Sequence, residues 1–121
     1  MSADEAITDV APQSAADNVA AKVEVSSLGN VTSDWYNIGF SDTNNRRYRL
    51  QGLSFATGTP AVVLIQPRQI GNVDEGYPDQ FAVQVITTST TSIVCRVLRI
   101  DSDYGWGQQV RLDLFVVESV R

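Results

Sequence analysis

Apolar and polar residues alternate along most of this chain with a period of two. In the last third, Ile93, Cys95 and Val97 fall on one face of a first run, and Val110, Leu112, Leu114 and Val116 on one face of a second. The turn-forming stretch Asp101-Ser-Asp-Tyr-Gly-Trp106 separates them. Successive side chains of a strand point to opposite faces, so this pattern predicts a long β-hairpin forming half of a sandwich core. Leu98 and Ile100 shift the phase of the first run, a bulge signal.

The same texture begins at Lys22. Lys22–Ser26, with Val23 and Val25, reads as a short edge strand, and Gly29-Asn30 as a turn. Trp35–Ser41 places Tyr36, Ile38 and Phe40 on one face, and residues 42–45 form a loop. Arg46–Phe55 aligns Tyr48 with Leu50. Gly52 then marks a bulge, after which Leu53 and Phe55 take over the inward phase. The run Ala61-Val-Val-Leu-Ile-Gln66 is continuously apolar and predicts a strand covered on both sides. Pro67–Gln80 is a long polar loop, Phe81, Val83 and Val85 alternate strictly, and Thr87–Ser92 is a Thr/Ser-rich turn. No useful helical period and no internal repeat occur in residues 22–121. The expected fold is therefore all-β, an antiparallel β-sandwich of about six strands.

Residues 1–21 are a different material, rich in Ala, Asp and Ser and without aromatics. Pro12 interrupts any helix, and Ser14 with Asp17 can cap a short helical turn through Ala20. The segment has too little apolar bulk for a core. It is expected to be a flexible N-terminal arm, disordered alone or ordered on a neighbouring subunit, with the sandwich domain spanning 22–121.

Composition narrows the function. The chain has 121 residues, enough for one domain with a core of its own. It has no histidine, which removes the commonest general base, zinc ligand and pH switch. A hydroxyl nucleophile needs an adjacent base, so no enzyme activity is expected. The net charge is −5. Asp4, Glu5, Asp9 and Asp17 all precede the first basic residue, Lys22, leaving the body close to neutral. Binding to nucleic acid through phosphate neutralisation is disfavoured. No apolar stretch approaches the ~20 residues of a membrane span, and the N-terminus lacks the basic start and apolar segment of a secretory leader. The single cysteine, Cys95, lies in an apolar run and reads as a buried hydrophobe.

The order Leu53-Ser-Phe55, Gly58-Thr-Pro60, Ala61-Val-Val-Leu-Ile65, a polar loop with Asp74, then Phe81-Ala-Val-Gln-Val-Ile-Thr-Thr-Ser-Thr-Thr-Ser-Ile-Val94 resembles the H-type lectin domain. That family has an aromatic residue, a Pro-turn, a Val-rich strand and a hairpin with a valine–x–valine and threonine–threonine signature. The resemblance covers about residues 34–118 and implies an antiparallel sandwich of about six strands that assembles as a homotrimer. The family occurs as free sugar-binding lectins and as modules of phage virion proteins. Its sugar-binding arginine and its aromatic–polar pair have no counterparts here. Gln80 and Phe81 stand at the first place and Leu98-Arg99-Ile100 at the second, so no family binding residue carries over. The small size, acidic Ala-rich arm and Thr/Ser-rich turns also look like a tailed-phage structural protein.

Several groups of residues remain as candidate contacts. Tyr104 and Trp106 bracket Gly105 in the hairpin turn, where exposed aromatics would stack on a sugar or a partner protein and buried ones would cap the sandwich edge. Arg46-Arg47-x-Arg49 is the basic cluster. Alternation sends Arg47 and Arg49 to the face opposite Tyr48 and Leu50, with Arg96 on the same outward face. There they are either solvated or paired with acids of a neighbouring subunit. Asp74, Glu75 and Asp79 in the polar loop could hold a cation or act as a paired acid and base, but no cleft or perturbing neighbour is visible in the sequence; in a lectin the loop near Asp74 would lie at the sugar. Asp101-x-Asp103-x-Gly105 is spaced like the start of a calcium loop. An EF-hand, however, needs a bidentate acid about nine positions after Asp103 and flanking helices, so the turn reading is preferred. No metal or cofactor is expected. The sequence reading is thus a bacteriophage virion structural protein, of the tail-fibre or capsid-decoration kind. It would be made in the host cytoplasm and located in the virion, and would act by self-association and by docking to neighbouring virion proteins. The alternative is a lectin or adhesin that recognises host-surface glycans.

Overall fold

Each alternating run can bury one face only if a second layer covers it, and two sheets provide that cover for each other. The computed structural model describes residues 6–13, 19–25, 29–70 and 80–118. It contains β1 (Ile7–Val10), β2 (Ala21–Val25), β3 (Gly29–Ser41), β4 (Arg46–Leu50), β5 (Val62–Ile70), β6 (Phe81–Thr88), β7 (Ile93–Arg99) and β8 (Trp106–Glu118). They form two four-stranded sheets, β1-β4-β7-β6 (sheet A) and β2-β3-β8-β5 (sheet B). The fold is the all-β sandwich that the sequence predicts. The eight strands among the described residues exceed the expected six because Ile7–Val10 adds one and the short Lys22 segment is realised as β2.

The core lies between the sheets. Tyr36, Leu112, Leu114 and Val116 face it from sheet B, and Tyr48, Leu50, Ile93, Cys95 and Val97 from sheet A. The long pair β3·β8 spans the domain and sets the register: Tyr36 faces Leu112 and Thr32 faces Val116. Burial raises the Cys95 thiol to about 12, so it is an inert packing group. Burial, with a smaller contribution from Asp34, also raises the Tyr36 phenol. That hydroxyl donates to the Gln51 carbonyl at 2.7 Å, tying β3 to the exit of β4.

The N-terminal segment differs from the expected free arm. β1 runs parallel to β4, pairing Ile7 with Arg47 and Val10 with Leu50. Pro12 is fully buried, the Gln13 N–H donates to the Trp35 carbonyl, and the Ala20 N–H donates to the Gly52 carbonyl. The described part of residues 1–21 is thus ordered on its own chain. The physical reason is that an edge strand is held largely by backbone hydrogen bonds, so a few small buried residues such as Pro12 and Ala20 suffice beside them. Ser14 and Asp17, the expected helix cap, lie outside the described residues.

Three other expectations are corrected. Phe40 does not share the inward face of Tyr36; it is 57% exposed. The β3–β8 register shifts on either side of Gly39, whose φ is 65°. This bulge, which glycine adopts at no steric cost, flips the phase so that Ser41 is buried and Phe40 points out. β5 is not covered on both sides. It is an edge strand of sheet B, with Val63 and Ile65 against the core and Val62 and Leu64 exposed. Leu53 and Phe55 are buried as predicted, but β4 ends at Leu50, so Gly52 (φ 79°) lies in the chain leaving the strand rather than in a bulge within it.

Candidate functional site

The sequence predicts a hairpin of β7 and β8, but β7 pairs within sheet A and β8 within sheet B, so the turn between them carries the chain from one sheet to the other. Arg99 braces that turn. Arg99 donates through Nε and Nη2 to the Asp101 carboxylate at 3.0 and 3.2 Å, and through Nη1 to the Gly105 carbonyl at 2.7 Å. The Arg99 hydrogen bonds, with help from the Gln80 N–H, lower the Asp101 carboxyl to about 2. Asn44 locks the exit of β7 by accepting from the Arg99 N–H and donating to the Arg99 and Ser102 carbonyls. Gly105 packs so closely that a Cβ there would lie 2.0 Å from the Ser41 carbonyl oxygen. The Asp101 carboxylate is therefore engaged by the turn's own arginine, and among the described residues no cluster could hold a metal ion.

The two aromatic candidates of this turn separate. Trp106 is buried; its Nε1–H donates to the Gly39 carbonyl at 2.9 Å, and its ring meets Phe81 edge-on at 5.3 Å. It closes the end of the core and is not available for stacking on a ligand. Tyr104 is 79% exposed. Beside its turn lies an open groove of about 470 Å³ lined by Asn44, Leu98, Arg99, Ile100, Asp101, Ser102 and Asp103. Asp74 lies outside the described residues.

The outer face of sheet A is where alternation puts the arginines. Arg47 stands directly across from Arg96, and Arg49 across from Val94. Arg49 pairs with Asp9 at 2.8 Å. Its acid therefore comes from β1 of the same chain rather than from a neighbouring subunit. Arg96 donates to the Asn45 side-chain oxygen at 2.9 Å.

The outer face of sheet B carries the surface that the sequence reading missed. In the observed register Val23, Val31, Val117 and Val62 lie side by side across all four strands. The next row on the same face is Ala21, Ser33, Phe115 and Leu64. Of these, Val23 is 62%, Leu64 57%, Val62 42% and Phe115 42% exposed. A polar end follows. Arg111 stacks 4.6 Å over the Trp35 ring and donates to Asp113 at 2.8 Å, while Arg68 reaches the same carboxylate at 3.6 Å. An open groove of about 410 Å³, lined by Leu64, Gln66, Arg68, Asp113, Leu114 and Phe115, joins the apolar rows to this charged end. The signal in the sequence is the out-of-phase apolar residues: Phe115 and Val117 interleave with the core-facing Leu114 and Val116, as Val62 and Leu64 do with Val63 and Ile65. Such runs resemble strands covered on both sides, and only the topology shows that this second cover is absent among the described residues.

Comparison with models of known protein families finds no match, and comparisons with curated proteins and with solved structures find none.

Proposed function

We propose that this protein is a structural module that works by association. It is a virion component of the tail-fibre or capsid-decoration kind that assembles as a homotrimer and docks on neighbouring virion proteins. The observation that carries the reading is the apolar outer face of sheet B. Four strands at ~4.8 Å spacing and two rows of side chains make a band on the order of 250–300 Å². A band of that order is no larger than the largest apolar patch of an ordinary monomer, which is often functional, so its continuity across all four strands and its charged end, rather than its area, support the reading. Covering it removes apolar area from water at roughly 25 cal/mol per Å². The Arg68–Asp113–Arg111 cluster at its end supplies charge that fixes register and rejects wrong partners. The trimer and the virion setting rest only on the resemblance of the sequence between about residues 34 and 118 to H-type lectin domains. Light scattering on the purified chain tests this. An oligomer is expected, and Leu64→Glu should lower its mass towards that of a single chain. A wild-type protein that stays monomeric at high concentration overturns the reading.

Tyr104 favours a second reading, a glycan-binding lectin or adhesin. An exposed aromatic ring on a turn whose preceding residues Asp101, Ser102 and Asp103 line an open groove offers stacking and hydrogen-bonding groups of the kind that a sugar needs. A glycan array in which binding disappears with Tyr104→Ala would support it; unchanged binding by that variant would reject this site.

A further inference from the structure

Among the described residues four strands end the two sheets, and three of them carry a feature that discourages pairing with another chain. β1 is only four residues long and holds Asp9. β2 is five residues long and carries Lys22 and Glu24. β5 contains Pro67 and Arg68. β6, by contrast, has eight residues, Phe81-Ala-Val-Gln-Val-Ile-Thr-Thr88, with no charge and no proline. Its pairing with β7 skips Ile86, so a bulge ends the regular stretch at Val85. The usable edge is therefore Phe81–Val85.

The backbone of that edge can be oriented. The Ile100 N–H donates to the Gln80 carbonyl at 2.8 Å, so Gln80 turns its backbone groups towards the β7 side. Strand alternation then turns the N–H and C=O of Phe81, Val83 and Val85 away from β7, to the outside of the sheet. We infer that this edge pairs antiparallel with the same edge of a second copy, about a two-fold axis at Val83.

Three features favour a second copy as the occupant. A regular edge of odd length, bounded by a bulge, matches itself about its own centre. With the axis at Val83, the outward groups of Phe81, Val83 and Val85 meet those of the partner's Val85, Val83 and Phe81. Phe81 then lies opposite a β-branched residue, a favourable cross-strand pair, and Ala82 lies opposite the partner's Gln84. Because the edge has no charge, no like charges face each other across the axis, as they would across a two-fold at a charged residue. This inference rests on the association reading above and adds to it a second contact, of two-fold symmetry, at a different place from the sheet B face. The two-fold would join trimers in pairs.

The test uses the full chain. Ala82 and Gln84 are exposed, so Ala82→Cys and Gln84→Cys leave the core intact, and the native Cys95 is buried and does not compete. Ala82 and the partner's Gln84 form a pair without mutual backbone bonds, where Cβ atoms approach closely enough for a disulfide. Under mild oxidation, an equal mixture of the two variants should give a covalent dimer that neither variant gives alone. No covalent dimer in the mixture, or equal linking in the single-variant samples, overturns the inference. In parallel, the double variant Ala82→Lys, Gln84→Lys sets lysines directly opposite each other twice and should halve the mass seen by light scattering; an unchanged mass overturns it. Leu64→Glu separates the two readings. If linking is absent while Leu64→Glu still lowers the mass, only the edge contact falls. A wild-type chain that is monomeric overturns both.

Discussion

The outer face of sheet A presents Arg47, Arg49 and Arg96, with Arg49 tied to Asp9 and Arg96 to Asn45. The outer face of sheet B presents Val23, Val31, Val62 and Val117 in one row, and Leu64 and Phe115 in the next. Both sheets alternate with the same period and contribute to the same core. The contrast lies in the residues that the core does not use. Covering the arginine face would strip water from charges that already have partners in their own chain, a cost that repays poorly. Covering the valine face strips water from hydrocarbon, which is favourable. Under the proposed association the two faces would therefore have different physical roles: one would meet solvent, and the other would meet protein.

The largest expected effect removes the core that both faces share. Trp106→Ala deletes a buried ring together with its hydrogen bond to Gly39, and should cost about 3–5 kcal/mol in a chemical-denaturation curve. Tyr104→Ala, two residues away on the surface, should stay within about 0.5 kcal/mol. Next comes a change confined to sheet B. Phe115→Glu should weaken self-association at least about tenfold by sedimentation, while unfolding stability moves by no more than about 1 kcal/mol. Its counterpart on sheet A, Arg49→Ala, should cost about 0–1 kcal/mol, since the Asp9 pair is largely exposed, and should leave the assembly mass unchanged.

The smallest effect is one of acidity. The Asp101 carboxyl is held at about 2, below the ordinary 3.8, first by the Arg99 hydrogen bonds and then by the Gln80 N–H. A folded value below the unfolded one means that its contribution is fully present above about pH 4 and is lost as pH falls towards 2. A carboxyl-carbon NMR titration should place the Asp101 midpoint near the lower figure, and Arg99→Lys should raise it.

Much of the fold was legible because the core-facing alternation in β4, β7 and β8 is strict. Tyr48, Cys95, Val97 and Leu112 could be assigned a face from position alone. The burial of Leu53 and Phe55 beyond Gly52 was also legible, since they resume the apolar series. Phe40 was misplaced because a bulge at Gly39 depends on backbone geometry that no apolar count reports. β1 was missed because it is held by edge hydrogen bonds to β4 and by a few small residues, Val10, Pro12 and Ala20, too sparse in the sequence to read as a core-forming run. The outward direction of Arg47 and Arg49 followed from alternation, but Asp9 as the acid beside Arg49 needed the parallel pairing of β1. Trp106 and Tyr104 looked equivalent in a turn sequence, and only the hydrogen bond to Gly39 and the ring of Phe81 distinguish them. The sheet B surface was concealed by its own composition: a strand with two apolar faces reads as doubly buried, and position at a sheet edge is a property of topology.

Side-chain footprinting with a photoactivated carbene, run across a dilution series, tests the central claim most directly. Leu64 and Phe115 should become labelled only as the protein is diluted, while Phe40 and Tyr104, exposed elsewhere, label equally at every concentration. Equal labelling of Leu64 and Phe115 at high and low concentration would contradict an association built on the outer face of sheet B.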